Sequence, residues 1–313
     1  MAAFREAGGI RRVAAVGAGL IGAGWVAAFL ARGFEVSVYD PSPDAAERVG
    51  RHIAAVWPQL RARGLDDRAN PEALSFHGTL AAALREADFV QESTPERPEE
   101  KIALFREMGG LVPPDVLIAS STSGMPVSSL QEACAHPERC VLGHPFNPVH
   151  LMPLVEVGGG KKTAPEAVEA VTGLYLSMGK QPVHVRNEIV GHLANRLTAA
   201  MFREAVALVE DGYATIEDID RAIRFGPALK WAIQGQFTTF HTSGGAGGLE
   251  NFLRHFGPGI AGRWRTMRVP DLADPALQAE LAMQMAAATG GEPVEEIARR
   301  QDETLLKLLA LLG

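Results

Sequence analysis

A histidine and a glutamate stand twelve residues apart, His144 in Gly143-His144-Pro145-Phe146-Asn147-Pro148 and Glu156 in Leu154-Val155-Glu156-Val157. The first string follows an apolar run that reads as a strand, and the second is itself strand-like. A carboxylate inside an apolar strand is costly unless it is paired. The histidine across the connecting loop is a candidate partner. Such a pair suits oxidation of an alcohol: imidazole takes the hydroxyl proton, and the carboxylate fixes its tautomer and stabilises the imidazolium. A solvated loop histidine beside an edge-strand acid fits the same spacing. The other histidines, among them His52, His77, His184 and His255, have no metal-ligand spacing, so no metal is expected.

A second constellation lies near the start. Val13-Ala14-Ala15-Val16 runs into Gly17-Ala18-Gly19-Leu20-Ile21-Gly22, a G-x-G-x-x-G string. The first glycine permits a tight turn, the second lets backbone approach a pyrophosphate, and the third lets helix and strand pack closely. Free N–H groups at the following helix start favour the pyrophosphate charge. Alone, the string also fits a glycine-rich turn with no ligand. Its context is more specific, because Phe34–Tyr39 reads as the next strand and ends in Asp40, 18 residues after Gly22. An acid there accepts hydrogen bonds from an adenosine ribose and repels a 2′-phosphate, which favours NAD over NADP. FAD would use the same loop, but no second flavin signal is present.

The elements that must hold these residues alternate. Strand-like runs occur at Arg12–Val16, Phe34–Tyr39, Asp88–Gln91, Val116–Ser120, Arg139–Leu142, Leu154–Val157 and Pro182–Val185. Helical patterns lie between them at Ile21–Ala31, Asp44–Arg63, Glu99–Met108 and Pro165–Met178. That alternation predicts an α/β fold, a Rossmann-type, doubly wound, mostly parallel sheet covered on both faces. Ser121-Thr122-Ser123 follows one of these strands, at the carboxyl edge where ligands bind in such sheets. From Val190 onward the pattern is helical, with further helices at Pro275–Ala288 and Pro293–Leu312. The expected division is residues 1–187 for the dinucleotide-binding domain and 188–313 for a helical substrate and dimerisation domain.

Composition removes several classes. The 313 residues carry 21% charged and 47% hydrophobic residues, which fits a folded two-domain chain rather than a disordered one. A net charge of −7 is a poor match to nucleic acid, which needs a basic face. Two cysteines, Cys134 and Cys140, make neither a disulfide framework nor a zinc ribbon and suggest free thiols in a reducing compartment. Val13–Ala31 is uncharged and imitates a membrane segment, but four glycines interrupt it. No membrane role and a cytoplasmic location are therefore expected.

Together the motifs resemble those of the 3-hydroxyacyl-CoA dehydrogenase family. The similarity runs over nearly the whole chain: the loop at Gly17–Gly22, Ser121-Thr122-Ser123, His144–Pro148, Leu154–Val157 and Asn195-Arg196. The resemblance implies an NAD-dependent dehydrogenase with His144 as general base and Glu156 paired to it. It implies that Ser123 and Asn195 hydrogen-bond the reacting oxygen. It further implies that Glu96, Lys101, Ser123 and Asn147 line the nicotinamide half of the cofactor site, with Asp40 at the adenosine half, and that the chain is a homodimer. The stretch Val56–Arg63 lacks the lysines usual in acyl-CoA enzymes, and Trp231–Phe237 replaces the usual M-G-P-F. These departures resemble the branch that oxidises small free L-3-hydroxy acids, carnitine foremost. L-gulonate, a 3-hydroxyacyl-CoA and a non-enzymatic NAD-binding structural role are the alternatives. Seven of the twenty aromatic residues fall between Phe225 and Trp264. A quaternary ammonium donates no hydrogen bond and is held by aromatic faces, so Trp231, Phe237 and Phe240 are candidates for substrate contact, although helical core explains each of them as well. The glycine run Gly244–Gly248 resembles that branch and has no reading from composition.

Overall fold

The computed structural model describes residues 4–312. Eight strands form one sheet in the order β3-β2-β1-β4-β5-β6-β7-β8. They are β1 (Arg12–Val16), β2 (Glu35–Tyr39), β3 (Leu74–Phe76), β4 (Phe89–Glu92), β5 (Leu117–Ser120), β6 (Cys140–Pro145), β7 (Leu154–Gly159) and β8 (Gln181–Val185). The first six are parallel. β7 pairs antiparallel with β6, and β8 follows the direction of β7. The order reverses between β1 and β4, which is the switch point where such sheets bind ligands at their carboxyl edge.

Side chains alternate across the pleat, and two cores result. Val13 and Ala15 of β1, with Val36, Val38, Phe89, Leu117 and Val141, face α1 (Leu20–Ala31), α2 (Ala45–Ala62) and α6 (Pro165–Ser177). Ala14 and Val16, with Val90, Ile118 and Leu142, face α3 (Leu80–Leu84), α4 (Pro98–Leu111) and α5 (Val127–Gln131). The uncharged stretch from Val13 resolves into β1, a glycine turn and α1. Helix α1 is buried from Gly22 to Ala31, which explains why it is apolar on every side. Among the described residues no helix is long and apolar enough to cross a membrane. Both cysteines are buried and free.

The second unit is helical: α7 (Ala194–Glu210), α8 (Ile216–Phe225), α9 (Pro227–Ser243), α10 (Gly248–Trp264), α11 (Pro275–Thr289) and α12 (Val294–Leu312). Sequence patterning marks neither α9 nor α10. Gly235, with φ of +71°, kinks α9, and Pro258 lies within α10. The run Gly244–Gly248 is the tight turn joining them. A Cβ at Gly244 would lie 1.8 Å from the Gly248 carbonyl oxygen, and one at Gly248 would lie 2.4 Å from the His241 ring.

The compact units divide at Ala194/Asn195, with residues 305–310 grouped with the first. The division expected from the sequence lies at 187/188. The intervening residues bond into the first unit: Glu188 accepts from the Ser128 amide at 2.7 Å, and Gly191 N–H donates to Ser123 O at 3.2 Å.

Lys180 is buried, and its hydrogen bonds go to backbone carbonyls rather than to an anion. Its ammonium donates to the carbonyls of Val149 and Met152 and lies 5.5 Å from the Trp25 ring centroid. Burial, then Arg63 and Arg32, push its pKa down to about 7. The unfolded chain therefore holds more protons than the native one between pH 7 and the ordinary lysine range, and native stability rises with pH there. Comparing wild type with Lys180→Met by denaturant unfolding should show the gap moving in favour of wild type by about 1 kcal/mol per pH unit from pH 7.5 to 9.5, and flat below pH 6.5. A gap independent of pH throughout would refute the depressed value.

Candidate active site

The turn after β1 is shaped for close approach. Gly17 has φ of +92°, and a Cβ there would lie 2.7 Å from the Ser93 carbonyl group. A Cβ on Gly22 would lie 1.9 Å from Gly17 O, so the third glycine lets α1 start directly against the turn. Gly19 is the N-cap of α1 and supplies no side-chain cap, and the space beside it is open. Uncapped N–H groups facing open space fit a pyrophosphate. Asp40 accepts from Ala18 N–H at 2.7 Å and from Ser42 N–H at 2.9 Å, which fastens the loop to the end of β2. Arg48 stands 4.0 Å from Asp40 and also pairs with Asp44. These residues fit NAD: the 17–22 turn would hold its pyrophosphate and Asp40 its adenosine ribose.

The antiparallel register sets His144 directly opposite Glu156. Facing side chains in such a pair are close, and His144 Nδ1 lies 2.8 Å from Glu156 Oε2. The carboxylate is 1% exposed. Its other oxygen accepts N–H bonds from Leu193 at 2.7 Å and Ala194 at 2.9 Å. Burial pushes the Glu156 pKa up, but the histidine bond and the two amides outweigh it, and the net shift is downward. The anionic carboxylate accepts from an Nδ1–H, and in the neutral imidazole this arrangement leaves the lone pair on Nε2. Gly143 has no room for a side chain, since a Cβ would lie 2.1 Å from the Tyr175 hydroxyl.

The serine-rich turn after β5 rests on a buried polar network. Ser121 Oγ meets Trp25 Nε1 at 3.1 Å, Gln91 Nε2 at 3.0 Å and Ser93 Oγ at 2.8 Å, and Gln91 Oε1 accepts from the Tyr175 hydroxyl at 2.6 Å. Glu96 clamps the turn from above, accepting from Thr122 Oγ1 at 2.9 Å and Ser123 N–H at 2.7 Å.

Of the residues singled out in sequence, the fold joins His144 to Glu156, Glu96 to Ser123, and Asp40 to the glycine turn. Lys101 is turned inward. Its ammonium bonds Glu92 at 2.9 and 3.2 Å and Thr94 O at 3.0 Å, and it is 1% exposed. Asn147 is exposed on the loop after β6. Asn195 begins the second unit, one residue beyond the amide that Glu156 holds. In that unit Phe240 stacks on Phe252 at 4.4 Å, Trp231 is half-buried, and Phe237 is 77% exposed. Sequence reasoning missed Glu92 and His192. Glu92 carried the same signal as Glu156, an acid closing an apolar strand. His192 is buried, with its ring centroid 5.0 Å from that of His144, and gave no sequence signal. Among the described residues no cluster of His, Cys, Asp and Glu could hold a metal.

Comparison with known proteins divides the chain near residue 190. The model of the 3-hydroxyacyl-CoA dehydrogenase NAD binding domain matches residues 12–189, and that of the family's C-terminal domain matches 191–273. An L-carnitine dehydrogenase from a Pseudomonas species is 44% identical over 304 residues, 97% of this chain and 94% of its own length. One from Streptomyces coelicolor is 43% identical over 304 residues, covering 97% and 95%. A solved structure of 5-formyl-3-hydroxy-2-methylpyridine 4-carboxylic acid 5-dehydrogenase, an NAD+ dependent dismutase, superposes with a TM-score of 0.83 at 28% identity, covering 97% and 98%.

The role of Asp40 is open to measurement. Asp40→Ser removes the charge that would face the ribose, and kcat/KM for NADP relative to NAD should rise by at least about tenfold, since a ribose contact of this kind is worth roughly 1.4 kcal/mol or more. An unchanged ratio would remove Asp40 from cofactor selection.

Proposed function

The chain belongs to the 3-hydroxyacyl-CoA dehydrogenase family and is an NAD-dependent dehydrogenase acting on a CH–OH group, and we propose that it oxidises the C3 hydroxyl of L-carnitine to give 3-dehydrocarnitine, with His144 as the base. The observation that carries the reaction type is the His144–Glu156 pair, with its carboxylate anchored by two amides. The Glu156 carboxylate holds the His144 proton on Nδ1 and directs the Nε2 lone pair outward to receive the hydroxyl proton. As the imidazole becomes imidazolium, the anion 2.8 Å away stabilises it. Ser123 and Asn195 hydrogen-bond the reacting oxygen in this reading. Glu96 fixes the backbone of the Ser123 turn, and Lys101 acts on the cofactor side through Glu92 and Thr94 rather than by direct contact. Bound NAD supplies the acceptor for the hydrogen that leaves C3 with its electron pair.

The substrate assignment is supported by full-length relatives named L-carnitine dehydrogenase in several bacteria. Carnitine needs a surface that accepts a cation unable to donate a hydrogen bond, and exposed Phe237 and half-buried Trp231 offer aromatic faces. The pairing of two copies is part of the same reading. Ile233, Phe237, Phe256 and Trp264 are each more than half exposed on the second unit of a single chain, and a second copy would cover such a surface. Light scattering should return twice the chain mass; a monomer would remove this part.

Steady-state assays with L-carnitine, L-gulonate and 3-hydroxybutyryl-CoA should give the highest kcat/KM with carnitine. His144→Ala should lower kcat by about 10²- to 10⁴-fold. Among Trp231→Ala, Phe237→Ala and Phe240→Ala, at least one should raise the KM for carnitine about threefold or more, the value of a single aromatic contact. Preference for another substrate would overturn the assignment. A loss under threefold in His144→Ala would remove the base.

A further inference from the structure

Four consecutive residues at the entry to α7 each bond to the site. Gly191 N–H donates to Ser123 O at 3.2 Å, His192 Nε2 lies 2.8 Å from Thr122 O, and the Leu193 and Ala194 amides hold Glu156. One short segment thus grips the serine turn with its first two residues and the carboxylate with its last two. His192 sits in its middle with φ of +49°, a left-handed conformation unusual for a side chain with a Cβ. Its ring is 5% exposed, and its plane is tilted 55° to the His144 ring at 5.0 Å. A carbonyl only accepts, so Nε2 is the donor to Thr122. His192 Nδ1 is buried without a partner.

A histidine that served only to fill space would not need this backbone. Strained conformations persist where the surroundings over-determine them, and they cluster at functional sites. The apolar alternative, a phenylalanine of similar volume, would leave the Thr122 carbonyl without its donor. We propose that His192 is a positioning residue for His144: its bond to Thr122 O locks the imidazole as a wall against which the His144 ring is held in line with Glu156. The proposal rests on the reading of His144 as base. The charged or titratable groups around the pair are few. Glu156 is bonded to His144, Glu96 reaches Thr122 through its hydroxyl, and Glu188 lines a small cavity with His192 while its carboxylate is occupied by Ser128.

The test separates donor from volume. His192→Gln keeps a donor near the Nε2 position, His192→Asn has one too short to reach Thr122, and His192→Phe keeps the ring without a donor. Each is assayed as the full chain with NAD and carnitine, with NAD affinity read by protein fluorescence. His192→Phe and His192→Asn should lose about 10- to 100-fold in kcat, the scale of a small misplacement of a reacting group, with NAD affinity within twofold of wild type. His192→Gln should recover kcat to within threefold of wild type. Should the phenylalanine variant fail to fold, the Gln and Asn variants alone carry the contrast. Equal loss in Gln and Asn, or a phenylalanine variant within twofold of wild type, would overturn the proposal. His144→Gln is measured in parallel. If it keeps kcat within threefold, the base reading itself falls; if it loses 100-fold or more while His192→Asn is unaffected, only the role of His192 falls.

Discussion

Glu156 is a carboxylate with almost no access to water, set in the middle of a sheet strand. Left alone there, the charge would be lost to protonation or the strand would not form. Three donors answer it: His144 on one oxygen and the amides of Leu193 and Ala194 on the other. That requirement shapes much of the molecule. It is met by a strand beside β6 that runs the opposite way, in a register that places Glu156 directly opposite His144. It also demands that the chain return after β8 and turn its first helical amides onto the acid. The glycine turn lies at the end of β1 in the parallel portion of the sheet, and Glu156 lies on the reversed strand β7.

A second buried acid follows the same rule with a different outcome. Glu92 closes β4 and is satisfied by Lys101, Thr94 and Ser120, whose hydroxyl lies at 2.6 Å. Every oxygen is occupied and the ion pair is sealed, so it acts as a rigid floor under the 93–96 loop. Glu156 differs because its histidine partner keeps one ring nitrogen free. Two acids of similar burial thus differ in what their partners have left to offer.

Much of this was legible in the sequence. The alternation of elements, the glycine turn with Asp40, and the His144–Glu156 pair all rest on local patterns: a turn chemistry, a strand period, an acid in an apolar run. What could not be read depends on long-range contact. The glycines and proline of 235–258 argue against helices, yet tertiary packing sustains α9 and α10 there. Lys101 enters from the sequence only through the family resemblance, as a residue lining the cofactor site, and only the fold turns it onto Glu92. His192 lies in no motif; its place beside His144 follows from left-handed backbone at residues 191 and 192. The residues 188–194 join the first compact unit for the same reason, since Glu188, His192, Leu193 and Ala194 bond to partners 37 to 70 positions earlier, Glu156, Ser128 and Thr122.

The position of the 191–194 segment bears on how such enzymes diversify. The two amides that anchor Glu156 belong to Leu193 and Ala194 at the junction before the helical unit, so the electrostatics of the His144–Glu156 pair are written partly in the sequence of that junction. A recombination event near Arg186 would bring in a foreign junction along with a foreign helical unit, and the acid would inherit donors from a different parent. An exchange just after Ala194 would leave the anchors in place and graft only what lies beyond. The narrow window between those two points decides whether a swapped helical unit arrives with working chemistry or must rebuild it.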